Sequence, residues 1–385
     1  MSFFGNLFSS KSSKTSERIY LDYASATSLD NEVFELMKPY LVDYIGNPSS
    51  VYKEGVEAKK VLDKARKEIG ELLNTPSDSV IFTSGGTESN NIAIQGTFYA
   101  AKKAGISEPH FITTAIEHSS VLKVFSFLES QGAKVSYVNP DENGIVHVES
   151  IKKELTQNTV LVSIMLVNNE IGTILPVKEI ARAVKLYKKE KDFPYVHTDA
   201  SQAVCDMPIS VLSLGVDLLT IDGLKMYGPR GAGILVKKRS VEILPITFGG
   251  GQEFGLRPGT EVVANAVGLA GALKKAVHMI PEETEKISTL KNFFETEIKK
   301  INFGKRVLTI HGEQAERVFK ISNVCISGID AEFWTILFDK EGVCISFVSA
   351  CQNLNEDSSS YVLKAMGNVD CASSSLRFSF GRETT

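Results

Sequence analysis

The sequence predicts an α/β protein, in which a mostly parallel sheet with helices on both faces is followed by a smaller α+β region. Two observations favour this fold class. Short β-type runs alternate with helical stretches from Glu17 to about Lys238, and this alternation stops after Gly259. The chain has 385 residues, which is more than one core usually organises, so we expect two domains.

The first long helical pattern is amphipathic and runs from Gly55 to Leu73. Its apolar face consists of Ala58, Val61, Leu62, Ala65, Ile69, Leu72 and Leu73. Six β-type runs follow, at residues 79–83, 110–116, 134–138, 159–167, 195–199 and 217–222. Helical stretches separate most of them, which is typical of a parallel sheet covered on both faces. Because ligands bind beyond the carboxyl ends of such strands, we expect functional residues in the loops that follow.

The pattern after Gly259 predicts the smaller region. Two helical stretches, at about 261–279 and 282–300, precede the strand-like runs RVLTI, VFKISNVCIS and SLRFSF. We therefore expect a flexible tail at 1–18, a large α/β domain at 19–260 and a small α+β domain at 261–385. The tail is rich in Ser and Lys and has no acid before Glu17, so a transit peptide is the alternative interpretation.

Charge and cysteine usage exclude several classes of protein. The net charge is −4, which argues against a direct nucleic-acid surface, and no stretch approaches the roughly 20 apolar residues of a membrane span. The five cysteines are scattered and form no CxxC pair, so a disulfide framework and a zinc ribbon are both disfavoured. This favours a reducing compartment. The six histidines form no HxxxH or HExxH pair, so no metal site is predicted.

The segment SGGTESNN, Ser84 to Asn91, follows the run SVIFT directly. Gly85 and Gly86 allow a tight turn, and Thr87 then opens a helix, whose N-terminal N–H groups suit a phosphate. An ordinary strand-to-helix turn with a threonine cap is the alternative interpretation.

Two charged residues also follow β-type runs. Asp199 ends YVHTD, where a carboxylate either pairs with a protonated ring nitrogen or caps the next turn. Lys225 lies in the Gly/Pro-rich turn after DLLTID, where a desolvated lysine can form a Schiff base, although most lysines are solvated surface charges.

A cysteine and a histidine complete the candidates. Cys351 lies in FVSACQNLNEDSSS among small polar residues, which favours an exposed loop with a nucleophilic thiol. His118 follows HFITTAI and can stack on a planar ring, move a proton or make a helix-start hydrogen bond. The other cysteines lie in or beside apolar runs and are expected to be packed thiols: Cys205, Cys325, Cys344 and Cys371.

The order and spacing of these motifs resemble those of the cysteine desulfurases (NifS/IscS-like, group I) of the class V aminotransferase family. The resemblance runs from Ile19 to the end of the chain. It implies the fold of the fold-type I enzymes that use pyridoxal 5'-phosphate (PLP), with a seven-stranded sheet. The matching stretches are LDYASAT, GNPSSVYKEG, FTSGGTESNN, IEHSSV, VNNEIGT, HTDASQ, KMYGPRGAG, FGGGQEFGLRPGT, SACQ, SYVLKAMG and SLRFSFGR.

The resemblance implies roles around the ring of PLP. Lys225 would hold the cofactor as a Schiff base and later act as the base at the substrate Cα. Asp199 would pair with the pyridine N–H, and His118 would stack on the ring and assist proton transfer. Asn169 and Gln202 would bind the ring hydroxyl and the Schiff-base side.

The resemblance also implies a phosphate site, a substrate site and partners. Gly86 and Thr87 would bind the phosphate, with Thr260 reaching it from the other subunit of a homodimer. Arg377, with Asn169, would bind the substrate carboxylate. The sulfur of L-cysteine would pass to Cys351 as a persulfide, leaving L-alanine.

The implied sulfur acceptor is an iron–sulfur scaffold protein or a tRNA-thiolation sulfurtransferase. The implied location is the cytoplasm, or an organellar matrix if residues 1–18 are a transit peptide. The alternatives are a catalytically weakened paralogue that acts as a binding partner, and another PLP reaction, such as that of a selenocysteine lyase or an aminotransferase.

The chain departs from the family pattern where the phosphate would bind. Asp222 and Leu224 stand where Ser or Thr and His are usual. An ionised carboxylate facing a phosphate dianion repels it, so we expect Asp222 to turn away, to be protonated or to weaken cofactor binding. Further departures are Ala26, Tyr52, Gln252, Phe254 and Val348.

Overall fold

The computed structural model describes residues 18–189, 191–347 and 359–385. The α-helices are α1 (Asn31–Val42), α2 (Lys53–Leu72), α3 (Gly86–Lys103), α4 (Ser119–Ser130), α5 (Val148–Glu154), α6 (Val177–Lys188), α7 (Val211–Leu214), α8 (Val263–Lys300), α9 (Ala331–Lys340) and α10 (Tyr361–Ala365). Short 3₁₀-helices cover Ser77–Ser79, Gly223–Lys225, Glu253–Gly255 and Val369–Cys371.

The strands fall into two groups along the chain. Those of the first group are β1 (Ile19–Tyr20), β2 (Val80–Thr83), β3 (His110–Thr114), β4 (Lys134–Val138), β5 (Thr159–Ser163), β6 (Tyr195–Asp199), β7 (Leu218–Asp222) and β8 (Gly233–Lys237). Those of the second are β9 (Leu308–Ile310), β10 (Ile321–Ile326), β11 (Val343–Cys344), β12 (Ser346–Phe347) and β13 (Ser375–Ser379).

A seven-stranded sheet organises the first two thirds of the chain, in the order β2-β8-β7-β6-β5-β3-β4. Strand β8 is antiparallel to both of its neighbours, and the other pairings are parallel. This confirms the predicted α/β class. The runs predicted at 110–116 and 159–167 end sooner as strands, at Thr114 and Ser163. Ile164 and Leu166 still donate backbone hydrogen bonds to the neighbouring strand β6.

Apolar residues cover both faces of this sheet, since neighbouring residues of one strand point to opposite sides. Phe111 and Leu161 belong to the buried cluster on one face. Ile112 and Val162 belong to the larger cluster on the other face. The central strands β3, β5, β6 and β7 are therefore buried on both sides, and the residues that follow them lie at the edge of the sheet.

Helix α8 is continuous from Val263 to Lys300, so the prediction of two separate helices in this region is wrong. Pro281 lies within it, because the loss of one N–H does not outweigh packing along the whole helix. Its first half, with Leu269 and Leu273, packs in the large core, whereas Ile287 belongs to the small one. The helix therefore spans the two regions that the sequence predicted, whose boundaries stay a prediction.

The last third of the chain forms an antiparallel sheet in the order β12-β13-β10-β9. The N-terminal strand β1 pairs in parallel with β11, so the start of the described chain lies against this smaller region. Cys325 of β10 is disulfide-bonded to Cys371. The prediction of packed thiols is wrong for this pair, because the chain returns over the sheet after α10 and brings the two residues together. Among the described residues, no helix is long and apolar enough to cross a membrane.

Candidate active site

A single cleft collects most of the predicted site residues. It lies where β2, β3, β6 and β7 of the seven-stranded sheet end, as expected for ligand sites in α/β sheets. The predicted residues that line it are Gly86, Thr87, His118, Asn169, Asp199, Gln202, Lys225 and Arg377. Thr260 is exposed and is not part of this lining, and Cys351 lies outside the described residues.

Asp199 is held rigidly at the end of β6. One carboxylate oxygen accepts the Asn90 Nδ2–H at 2.9 Å, and the other accepts the backbone N–H of Ser201 at 2.9 Å. Asn90 is fully buried in α3 and also donates to Ser120 Oγ. Sequence reasoning did not assign Asn90, whose only signal is its place in the SGGTESNN motif. These contacts aim the carboxylate into the cleft.

Lys225 lies at the end of the 3₁₀-helix that follows β7. Its Nζ donates to the backbone carbonyl oxygens of Ala24, at 3.0 Å, and Ser25, at 2.5 Å. Gln202 Nε2 donates to the same Ala24 oxygen at 2.8 Å. The segment that begins LDYASAT therefore crosses the cleft and positions the amine.

His118 is the N-cap of α4, and its Nδ1 accepts the backbone N–H of Ser120 at 3.2 Å. The helix-start hydrogen bond that the sequence suggested is thus present, and it coexists with a position in the cleft. Burial lowers the pKa of His118, although the Asp199 carboxylate opposes this shift. The ring is therefore neutral at physiological pH.

Arg377 of β13 reaches the cleft from the small sheet and is 5% exposed. Its guanidinium donates to the Asn169 carbonyl oxygen at 2.9 Å, to Asp22 Oδ1 at 2.9 Å and to Ser25 Oγ at 2.6 Å. Its Nε is buried and has no hydrogen-bond partner among the described residues. The guanidinium of Arg377 is therefore held in place, and its Nε–H remains as a donor for a ligand.

The expected phosphate end of the cleft contains a carboxylate. Asp222 Oδ2 accepts the Gly86 N–H at 3.1 Å, and Asp222 Oδ1 accepts the Leu224 N–H at 2.9 Å. Gly85 has a φ of 146°, a backbone conformation that favours glycine, where the chain turns from β2 into α3. In this structure the carboxylate of Asp222 faces the start of α3, because unpaired N–H groups there attract it. The three outcomes expected when a phosphate binds stay predictions.

Two buried acids beside predicted residues were missed by sequence reasoning. Glu117 accepts the Met165 N–H at 2.9 Å and Thr114 Oγ1 at 2.7 Å, and burial raises its pKa to about 8. Glu170 accepts Ser360 Oγ at 2.6 Å, and burial likewise raises its pKa to about 8. Their only sequence signal is adjacency to His118 and Asn169, which does not reveal burial.

Several buried polar atoms of the cleft lack a partner. Asn169 Oδ1, Ser201 Oγ and Gln202 Oε1 are buried without a hydrogen bond among the described residues. All three residues line the cleft. Since buried polar groups are nearly always paired, these atoms point to a polar ligand.

The fold and the cleft define a class-V aminotransferase, and the chain belongs to that family, whose sequence model matches residues 19–385. Its relatives include cysteine desulfurase IscS of Dictyoglomus turgidum, which is 39% identical over 370 residues, covering 95% of this chain and 90% of the relative. Cysteine desulfurase IscS of Clostridium botulinum is 40% identical over 371 residues, covering 96% of this chain and 91% of the relative. Within the family, the chain is a cysteine desulfurase.

Solved structures agree with this assignment. A NifS-like protein superposes with a TM-score of 0.86 at 32% identity, covering 96% of this chain and 95% of the other. SspA, solved in complex with cysteine, superposes with a TM-score of 0.79 at 31% identity, covering 94% of this chain and 98% of the SspA chain. The predicted family and fold are confirmed.

Proposed function

We propose that this cysteine desulfurase uses PLP to convert L-cysteine to L-alanine and places the sulfur on Cys351 as a persulfide. The main observation behind the proposal is that four functional groups line the same cleft. The amine of Lys225, the carboxylate of Asp199, the imidazole of His118 and the guanidinium of Arg377 all line it. Together these groups can hold PLP, pair with its ring nitrogen, move a proton and bind the carboxylate of an amino acid.

The cleft residues fit the ring of the cofactor. The unpartnered oxygens of Asn169, Ser201 and Gln202 would bind its polar substituents, and Asp199 would hold the proton of its ring nitrogen. When bound, PLP supplies an electron sink for the bond changes at the substrate Cα. The phosphate end fits once Asp222 releases the Gly86 N–H.

Protein groups would do the remaining work. The Lys225 amine, oriented by two carbonyl oxygens, would hold the cofactor and then take the Cα proton. The free Nε of Arg377 would bind the substrate carboxylate. The neutral imidazole of His118 would accept or return a proton beside them.

Cys351 would be the sulfur acceptor within the chain. Its thiolate attacks the substrate sulfur, so that a sulfur–sulfur bond forms while the substrate carbon–sulfur bond breaks. The electron pair of the broken bond stays with carbon, which takes a proton to give L-alanine. In the sequence, Cys351 stands between Ser346 and Tyr361, which both line the cleft.

The persulfide would pass to a protein acceptor, for which an iron–sulfur scaffold and a tRNA-thiolation sulfurtransferase are the two candidates. A second copy of the chain would bring Thr260 to the phosphate. Exposed apolar side chains in the stretch of sequence around Thr260 support a homodimer: Phe248 is 85% exposed, Phe254 55% and Val262 53%. A reducing compartment, the cytoplasm or an organellar matrix, would keep the Cys351 thiol reduced.

The first experiment is a visible absorption spectrum of the purified full chain after addition of PLP, compared with Lys225→Ala. We expect an absorption band that borohydride removes and that the variant lacks. Protein that stays colourless would overturn the use of PLP and would support the second candidate function, a weakened paralogue that acts as a binding partner. The Asp222–Gly86 hydrogen bond is the observation that favours this second function.

The second experiment tests the thiol. With L-cysteine, the full chain should form alanine and gain one sulfur atom in its mass. Cys351→Ala should retain the absorption band and lose sulfur release, whereas Cys344→Ala, which removes a half-buried thiol that does not line the cleft, should retain both. Sulfur release that survives in Cys351→Ala would overturn the persulfide step.

A further inference from the structure

We propose that Cys325 and Cys371, when reduced, form with His311 a binding site for a thiophilic divalent cation such as Zn²⁺. The ligand atoms of these three residues lie within 4.8 Å of one another. None of the three lines the catalytic cleft. The site is therefore separate from the desulfurase chemistry and does not depend on the proposed function.

Strand register places the first two ligands on one face of the small sheet. Cys325 of β10 is opposite Thr309 of β9, and the backbone N–H of His311 donates to the Asn323 oxygen at 3.0 Å. The side chains of His311 and Cys325 are thus diagonal neighbours across an antiparallel pair. Cys371 arrives from a separate segment, at the end of its 3₁₀-helix.

An independent observation points to a ligand at this place. His311 is 3% exposed, and its Nε2 is buried without a hydrogen-bond partner among the described residues. A buried ring nitrogen is normally paired, because leaving it unpaired forfeits its hydration. A metal ion would satisfy it.

The donor set indicates the class of metal. Two thiolates and one imidazole suit Zn²⁺, and among the described residues no fourth histidine, cysteine or acid joins the group. Water or an added thiol would complete four-coordination. Sequence motifs did not reveal the site because its ligands come from three separate segments.

The disulfide and the metal site are two states of the same pair. A dithiol reductant delivers two electrons and two protons, which break the Cys325–Cys371 bond and leave two thiols while the reductant becomes a disulfide. Zn²⁺ then displaces the two thiol protons. In a reducing compartment the dithiol state is favoured, and the metal would hold the segments together in place of the covalent bond.

The site would steady a segment that borders the catalytic cleft. Ala372, next to Cys371, accepts the Ser360 N–H at 2.7 Å, and Ser360 Oγ donates to Glu170 at 2.6 Å. Tyr361 donates to the Glu117 oxygen at 2.6 Å. Loss of both the disulfide and the metal would therefore loosen this side of the cleft.

Metal content of the reduced full chain is the test. A Cys351→Ser background removes the thiol that is proposed to carry the persulfide. The protein is reduced with dithiothreitol, freed of reductant under anaerobic conditions and supplied with Zn²⁺ or Co²⁺ alone. We expect one ion per chain and thiolate-to-cobalt charge-transfer absorption. The affinity should fall at least tenfold in Cys371→Ser and in His311→Ala. Cys344→Ser, which changes another half-buried thiol of the small region, should bind normally.

Each other outcome overturns the proposal. Equal binding by His311→Ala would mean adventitious binding at thiols. No binding by the reduced chain, or a pair that cannot be reduced without unfolding, would mean a structural disulfide only. Thermal unfolding of each variant in the oxidised and reduced states separates loss of metal binding from loss of fold. Alkylation followed by mass analysis reports independently whether Zn²⁺ shields Cys325 and Cys371.

Discussion

The carboxylate of Asp222 accepts the backbone N–H of Gly86 at 3.1 Å, at the first turn of α3. The start of a helix offers unpaired N–H groups and the positive end of the helix dipole, which together bind phosphate groups. Asp222 would therefore compete with the phosphate of the proposed cofactor for the same donors. Like charges about 4 Å apart repel by about 4 kcal/mol at an effective dielectric constant of 20, so both anions cannot remain there at low cost.

Asp222→Ser should therefore bind PLP more tightly than the unchanged chain. We expect a dissociation constant lower by at least about tenfold, equivalent to about 1.4 kcal/mol, measured by absorption titration. The cofactor-free variant should be less stable by about 0.5–2 kcal/mol, because the start of α3 loses its carboxylate partner. Tighter PLP binding together with lower stability distinguishes competition between Asp222 and the phosphate from a general loss of structure.

Asp78→Ser is the matched control, since Asp78 is an exposed acid that pairs with Arg239 at 2.6 Å. It should change neither cofactor affinity nor stability by a measurable amount. Equal affinity of Asp222→Ser and the unchanged chain would show that the carboxylate moves aside at no cost.

Arg377→Lys should impair substrate binding while leaving the cofactor in place. The guanidinium contacts Asp22, Ser25 and Asn169 simultaneously, and a single ammonium cannot make these contacts and still bind a carboxylate. We expect kcat/KM for L-cysteine to fall about 100-fold, equivalent to about 2.7 kcal/mol, with unchanged PLP absorption. Arg239→Lys, at an exposed site, is the control. An unchanged KM would remove Arg377 from the substrate site.

The sequence locates the cleft because local pattern and position coincide there. Buried runs end where polar residues begin, so Asp199 and His118 are recognisable as residues at strand ends, and Lys225 follows the next such run. Parallel strands bring these ends to one edge of the sheet. The residues that line the cleft were therefore predictable from their order along the chain.

Contacts between distant segments were not predictable in this way. The Asp222–Gly86 hydrogen bond depends on β7 and β2 flanking β8, which no local pattern specifies. The pairing of Cys325 with Cys371 depends on how the chain returns over the small sheet. Burial of Glu170 similarly depends on the segment that contains Ser360. Each of these follows from tertiary packing, which single-sequence periodicity does not record.

Stability should depend on pH through the two buried acids Glu117 and Glu170. Their folded-state pKa values are raised from 4.5 to about 8 by burial. Between pH 4.5 and about 8, these two glutamates stay protonated in the folded chain but lose their protons in the unfolded chain. Their contribution to stability is thus fully present below pH 4.5 and is lost as the pH rises through about 8.

Glu170→Gln isolates one of these groups, because glutamine is neutral at every pH and its oxygen can still accept from Ser360. Relative to the unchanged chain, the variant should gain stability with rising pH, by up to about 1.4 kcal/mol per pH unit. Denaturant unfolding at pH 5, 6, 7 and 8 measures this difference. Glu149→Gln, at an exposed site, is the control and should show no trend. A constant difference for Glu170→Gln would mean that Glu170 is ionised in the folded chain.

A buried ion pair links α2 to the loop after β8. Arg66 donates to both carboxylate oxygens of Glu253, at 2.6 and 2.7 Å, and the side chains are 7% and 1% exposed. Glu253 also accepts the Phe82 N–H at 2.8 Å, and the Arg66 guanidinium lies 4.7 Å from the Phe82 ring centroid. The pair thus joins α2, β2 and the loop at one buried point.

Arg66→Ala should destabilise the fold by about 3–5 kcal/mol, because it leaves the Glu253 carboxylate buried and uncompensated. The double variant Arg66→Met with Glu253→Gln removes both charges and should recover part of this loss, since no unpaired ion remains. Lys59→Ala breaks the exposed Lys59–Asp63 pair and should cost less than about 1 kcal/mol. Urea unfolding of the four proteins gives the comparison. If the double variant were no more stable than Arg66→Ala, the loss of stability would come from packing around the guanidinium and not from the unpaired Glu253 carboxylate.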